Sequence, residues 1–370
     1  MTPHLKGGLC AAVLVLASGL SAQRARAFGP EDFKIEVQLD RLPAISQGNT
    51  GTCWCFATTS FLETEVKRIK GEQVDLSEMY GVYEAWREKA ETFVRLEGHA
   101  QLGQGGLSHD LIAMARKYGV EPQSAYTGLR EGQRGYDHGE LEKVIQTVMP
   151  LFANDKHPGG EWRDAVRGVL DAYMGHPPET FEVDGRTVTP QQYAREVLQL
   201  PLDDYVELMS FQTQGFGHKT QLLVPDNWMR DGNYWNMPVA DLVANVDHAL
   251  RAGFSVAIDA DVSENTNDQA HALFRLSPQM EKHEITDDLR QMQFDSKETT
   301  DDHLMHIVGL ATDPDGGTWY LLKNSWGRGG PFEGHWMMSR AYLSLKTLAV
   351  MIHKDGLTEA TRKQFGVAAK

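Results

Sequence analysis

Two thiols, Cys53 and Cys55, stand one residue apart in the run from Gln47 to Phe56, and two imidazoles, His303 and His306, lie far downstream of them, followed by Asn324. A thiol is a useful nucleophile at neutral pH only where its thiolate is stabilised, by a helix N-terminus or by a nearby imidazolium. The first condition is met locally: Cys53 is expected to open a helix with Thr58, Leu62, Val66 and Ile69 facing inward and Lys70 and Gly71 as its stop. The imidazole must come from the distant segment. Strands over 303–311 and 318–323, joined by a turn at Pro314 to Gly317, would pair with partner numbers totalling about 629, which sets Asn324 beside residue 305 and next to His306. His306 is therefore expected as the base, with His303 as the alternative, and the Asn324 amide would hold the ring. Acyl transfer also needs donors for a developing oxyanion, a role open to the Gln47 side chain and the backbone N–H of Cys53.

The elements that must position these groups fall into two kinds. After the helix at Cys53, Ser77 is an N-cap for a second helix burying Met79, Tyr83, Trp86, Ala90 and Phe93, and a third spans 108–118. Between them Gly105 and Gly106 allow close approach of a ligand to the backbone, or simply a turn. Helical patterns follow at 139–149, 161–174, 190–199 and 239–251, with Thr189 as a cap before Pro190. From Phe254 onward the chain turns β-rich, with strands at 254–260, 303–311, 318–323, 335–338 and 348–353 and a short helix possible in the acidic stretch before Asp302. The class is α+β.

Together these residues resemble the motifs of papain-like cysteine peptidases. Gln47 stands six positions before Cys53, Trp54 follows it, Gly105 and Gly106 resemble the pair that binds substrate backbone, and the strand from His306 resembles the one that begins at the catalytic histidine. Lys323 to Gly327 resembles the asparagine motif, in which Trp326 would shield the histidine and asparagine from water. The resemblance thus implies Cys53, His306, Asn324 and Gln47 as the catalytic set. The extra length between the glycine pair and the β half, together with Val224 to Met229, resembles the bleomycin hydrolase and aminopeptidase C branch. That branch implies an aminopeptidase acting on peptides, often assembled as a ring of identical subunits, whose C-terminal arm fills the nonprimed side of the cleft. The segment from Gly356 to Lys370 lacks that arm's usual small, apolar ending, which leaves a papain-like endopeptidase as the alternative. The organisation read from the chain is a signal segment to residue 27, a helical half at 28–127, a helical insertion at 128–252, a β-rich half at 253–355 and a tail at 356–370.

Composition narrows the setting. Lys6, an apolar run from Leu9 to Leu20 and the small-x-small sequence at Ala25 to Ala27 are the parts of an export signal cleaved after Ala27, so a periplasmic or secreted protein is expected, with no membrane attachment after cleavage. Removing Lys6, Arg24 and Arg26 takes the formal charge from −15 to −18. A field of that sign opposes binding to nucleic acid. Cys10 leaves with the signal, and two thiols so close together would form a strained ring rather than a structural disulfide. Metal binding by Cys53 and Cys55 is the rival from another class, but two sulfurs do not complete a copper(I) or zinc site, and His99 and His109 have no ligand spacing to them. No metal or cofactor is called for. Cys55 reads as a packing residue, and the depressed thiol pKa of the papain type points to activity persisting into mildly acidic pH.

Overall fold

The computed structural model describes residues 28–367, and the expected signal segment lies outside them. Helix α1 (Cys53–Lys70) is buried on every side from Trp54 to Val66, the buried residues including Glu63 and Glu65 alongside small and apolar side chains, the pattern of a helix packed on several sides. It stops at Gly71, whose φ of 74° places it in the left-handed region and lets its N–H reach the Lys67 carbonyl. Ser77 caps α2 (Glu78–Arg95) by accepting from the Tyr80 N–H at 3.1 Å, and α3 (Ser108–Tyr118) follows. Helices α4 (Gly139–Ala153) and α5 (Trp162–Met174) complete the helical half, burying Leu141, Ile145, Val166 and Leu170 in the same core as Leu62 and Trp86.

After the hairpin of β2 (Phe181–Val183) and β3 (Arg186–Val188), the short α6 (Pro190–Gln192) runs on as a π-turn to Val197. Among the described residues the other strands form one ten-stranded sheet. In chain order they are β1 (Lys34–Gln38), β4 (Tyr205–Met209), β5 (His218–Thr220), β6 (Tyr234–Asn236), β7 (Val256–Ala260), β8 (Leu273–Phe274), β9 (His303–Thr312), β10 (Thr318–Lys323), β11 (His335–Ser339) and β12 (Thr347–His353). Their spatial order is β5-β6-β4-β12-β7-β9-β10-β11-β8, with β1 paired to the far end of β9. One face of this sheet contributes Ala257, Leu304 and Met351 to the core around α1. The other carries Ile258, Met305 and Ile307 into a core with α7 (Val239–Arg251) and α9 (Arg340–Lys346).

The segment at 128–252, expected as a mostly helical insertion, carries α4, α5, α6 and α7 but also strands, since β4, β5 and β6 join the main sheet and α7 packs on it. These strands are short and read weakly, and they are held in place by the pairing of β4 with β12, of β6 with β4 and of β5 with β6. A helix in the acidic stretch, α8 (Asp287–Asp295), is capped by Thr286. The tail forms α10 (Glu359–Gln364), anchored where the Asn245 amide donates to Thr361 Oγ1 at 2.7 Å and where Phe365 stacks on Trp235 at 4.4 Å. That anchorage is on α7 and β6, and β4, β12 and β7 stand between β6 and β9, so the described part of the tail does not fill the cleft beside Cys53 as the branch's arm would.

Candidate active site

Cys53 occupies the first position of α1, where backbone N–H groups have no intrahelical partner and the helix dipole favours negative charge. The Leu304 peptide N–H is the backbone donor to its sulfur, so the nucleophile candidate lies against the start of β9. Cys55 faces elsewhere: it is fully buried, and its thiol donates to the Glu78 carbonyl on α2 at 3.0 Å. The two sulfurs are free thiols directed at different elements, which does not suit a shared metal.

The histidine that Asn324 holds is His303, not His306 as expected, and His303 directly precedes the residue whose N–H meets the Cys53 sulfur. His303 Nε2 donates to Asn324 Oδ1 at 2.8 Å, and Trp326 stacks on the ring at 4.8 Å with planes 21° apart. The other ring nitrogen, Nδ1, is left for the thiol. His306 instead points at α1, with Nδ1 2.9 Å from Ser60 Oγ and the edge of Phe61 beside it, and it has no exposed surface. The register itself was read well: partner numbers total 630 from Thr318 to Leu321 and, past a bulge, 629 at Leu322 and Lys323. What fails is the step from register to side chain. Residues opposite each other share a face and neighbours along a strand do not, so Lys323 shares the face of His306 while Asn324, opposite 305, shares the face of 303. Lys323 accordingly reaches Glu63 on α1 at 3.8 Å.

Burial pushes His303 down to about 4, partly opposed by its bond to Asn324. Burial pushes the Cys53 thiol up to about 12, against the Leu304 N–H and with help from the carboxylates of Asp259, Asp301 and Asp226. Both shifts disfavour the charged forms, opposite in direction to the depressed thiol pKa expected from the sequence. Alkylation of Cys53 by iodoacetamide, followed in the Cys55→Ser background, should keep accelerating as pH rises past 8. A plateau already reached at pH 5 would show a resting ion pair instead.

Gln47 is fixed at both ends of its amide. Its Nε2 donates to the Thr50 carbonyl at 2.6 Å, its Oε1 accepts from Ser325 Oγ, and its backbone N–H donates to the Ser325 carbonyl at 2.8 Å. One amide N–H remains for a ligand. These bonds tie the loop before α1 to the residue after Asn324, joining the two halves at the site.

The glycine loop is held from both sides. Trp54, 1% exposed, donates its indole N–H to the Gln104 carbonyl at 2.9 Å, and the buried Lys89 ammonium donates to the carbonyls of Gly103 (2.8 Å) and Gly105. A Cβ on Gly105 would meet Asp226 Oδ2 at 2.0 Å and one on Gly106 would meet Asp110 Oδ2 at 2.6 Å, so close approach, not an unusual φ, demands glycine at both. Asp226 belongs to the segment from Val224 to Met229, which Trp228 fastens to α3 by donating to Asp110 at 2.8 Å. Lys89, a buried cation on an otherwise apolar helix face, was not singled out in the sequence; its solitary charge among Trp86, Ala90 and Phe93 was the available signal.

A thiol at a helix start, an imidazole oriented by an amide and roofed by tryptophan, and an amide N–H across from them form the equipment for acyl transfer. A model of the peptidase C1-like family matches residues 160–368, more than half of the chain. The chain belongs to this family. Among proteins of known activity, the peptidase is similar to aminopeptidase C of Lactococcus lactis subsp. lactis (23% identical, covering 93% of this chain and 87% of that one). It is also similar to aminopeptidase C of Streptococcus thermophilus (22% identical, covering 88% and 84%). Among solved structures, PepW from Lactobacillus rhamnosis HN001 superposes with a TM-score of 0.69 at 19% identity, covering 90% of this chain and 84% of that one. The fold of the peptidase is the papain-like α+β fold, and its class is that of cysteine peptidases.

Proposed function

We propose that the peptidase is a thioester-forming aminopeptidase in which Cys53 is the nucleophile, His303 the base, Asn324 the group that orients it, and Gln47 with the Cys53 N–H the oxyanion donors. The observation that carries this reading is the hydrogen bond from His303 to Asn324 beneath Trp326, at the strand end whose next residue, Leu304, donates to the Cys53 sulfur. His303 Nδ1 takes the thiol proton as sulfur attacks the scissile carbonyl carbon, and the oxyanion is met by the two N–H donors. Collapse of the tetrahedral species breaks the C–N bond, His303 returns the proton to the leaving amine, and water then hydrolyses the thioester by the same route in reverse. The Gly105 and Gly106 backbone would take the substrate chain, and Trp54 and Trp326 would shape the site.

Removal of N-terminal residues, rather than internal cleavage, is supported by the names of the relatives. Cleavage of matched peptides with free and acetylated N-termini tests it: an aminopeptidase cleaves the free ones at least a hundredfold faster by kcat/KM, on the order expected when a charged group is recognised. Equal rates would make it an endopeptidase. Export through the segment cleaved after Ala27 is part of the same proposal, and a mature N-terminus at Phe28 would support it. Assembly into a closed ring, as implied by the branch, is likewise a proposal.

Gln47→Ala should lower kcat by roughly a hundredfold to a thousandfold, the loss typical of one oxyanion donor. A rise in KM with kcat unchanged would mean that Gln47 only binds substrate.

A further inference from the structure

An aminopeptidase must recognise an ammonium group next to its nucleophile, and the described part of the tail lies elsewhere, on α7 and β6. What does lie beside Cys53 is a group of carboxylates. Asp226 and Asp301 are half-buried, and both sit close enough to the sulfur to disfavour its anion. Asp226 Oδ2 occupies the position that a Gly105 side chain would take, at the edge of the backbone-binding loop, while Gln101 donates to its Oδ1 at 2.5 Å. Lys89 is close enough to interact with Asp226, but its hydrogen bonds go to the Gly103 and Gly105 carbonyls.

Asp259 is the independent sign that a cation is wanted there. It lies on β7 directly opposite Leu304, 3% exposed, and no ammonium, guanidinium, amide or hydroxyl of the described residues donates to either of its oxygens; the group that faces it is the carboxyl of Asp301. Asp261, two residues on, shows the contrast. It accepts from the Ser263 N–H and hydroxyl at 2.8 and 2.7 Å and from the Thr300 N–H at 3.2 Å, with Lys346 3.7 Å away. Two carboxyl groups pressed together without a counter-cation are costly unless they share a proton or a ligand supplies the charge. Burial and the neighbouring carboxylates accordingly raise both, Asp301 to about 7.

We propose that Asp226 and Asp301, backed by Asp259, receive the ammonium group of the substrate's N-terminal residue. This rests on the aminopeptidase reading above. A free N-terminus would then do two things: it would hold the first residue in register with Cys53, and it would cancel negative charge that opposes the thiolate. A chain with an acetylated N-terminus would bring only an amide to the same carboxylates.

The test compares wild type with Asp301→Asn, Asp226→Asn and Asp259→Asn on alanyl, N-acetyl-alanyl and N-acetyl-lysyl anilides, with thermal unfolding of each variant measured alongside. The expected result is a fall of roughly tenfold to a hundredfold in the free-to-blocked ratio of kcat/KM, carried by KM of the alanyl anilide, for Asp301→Asn and Asp226→Asn. Because these two are half-buried and change no shape, they carry the test even if Asp259→Asn fails to fold. A wild type that strongly prefers the free substrate and variants that keep this preference would overturn the proposal while leaving the aminopeptidase reading intact. A wild type without preference would remove that reading, and the proposal with it. A preference for N-acetyl-lysyl over N-acetyl-alanyl that Asp301→Asn abolishes would assign the site to a basic side chain and overturn the terminal-amine assignment.

Discussion

Replacing His303 with Ala should abolish hydrolysis, with kcat/KM falling by roughly ten-thousandfold or more, while His306→Ala should leave most of the turnover of the folded protein in place. The asymmetry follows from what each ring touches. His303 is bonded to Asn324, stacked under Trp326 and next to the residue whose N–H meets the Cys53 sulfur, with Nδ1 as the ring nitrogen that Asn324 does not engage. His306 is bonded to Ser60 and packed on Phe61, and burial together with Lys323, Arg41 and His335 holds its pKa well below the usual imidazole range. Removing it opens a cavity under α1 and should cost about 1–3 kcal/mol of stability, read as a lowered unfolding temperature. Kinetics on both variants at a temperature where each is folded separate the two effects. Inactivation by His306→Ala with His303→Ala active would reverse the assignment.

Cys53→Ala should be as damaging as His303→Ala, and Cys55→Ser should retain more than half of the wild-type rate, on the order of a conservative buried substitution. Cys53 starts α1 and meets β9, whereas Cys55 lies two residues further into the helix, its thiol donating to the Glu78 carbonyl and packed 3.0 Å from where a Gly81 Cβ would stand. A serine hydroxyl keeps that donor, so the contact between α1 and α2 survives. Comparable losses in both variants, with unfolding temperatures unchanged, would mean that the two thiols act together.

Much of the frame was legible because local chemistry and tertiary packing agree. The helices at 108–118 and 239–251 and the strand at 318–323 begin and end where the sequence placed them, and Ser77 and Gly71 serve as the expected cap and stop. β4, β5 and β6 were not legible, since they are three to five residues long and are held by pairing with β12 and with one another. The helical face of α1 was read one turn too far: Ile69 is 38% exposed. The choice between two histidines three residues apart was recoverable in principle. The register placed Asn324 opposite residue 305, and pleating puts 303, not 306, on that face. Other features could not be read locally: the approach of Asp226 to Gly105, and of Asp259 to Asp301, joins segments distant in sequence.

The most direct test of Cys53 as the nucleophile is capture of the acyl-enzyme. The protein is mixed with an alanyl ester, quenched in acid within milliseconds, digested at low pH and analysed by mass spectrometry. The expected result is an alanyl adduct on the peptide containing Cys53, fragmenting to place the acyl group on that sulfur, and its absence in Cys53→Ala. Turnover at the full rate with no adduct at Cys53, or with the acyl group on Cys55, would contradict it.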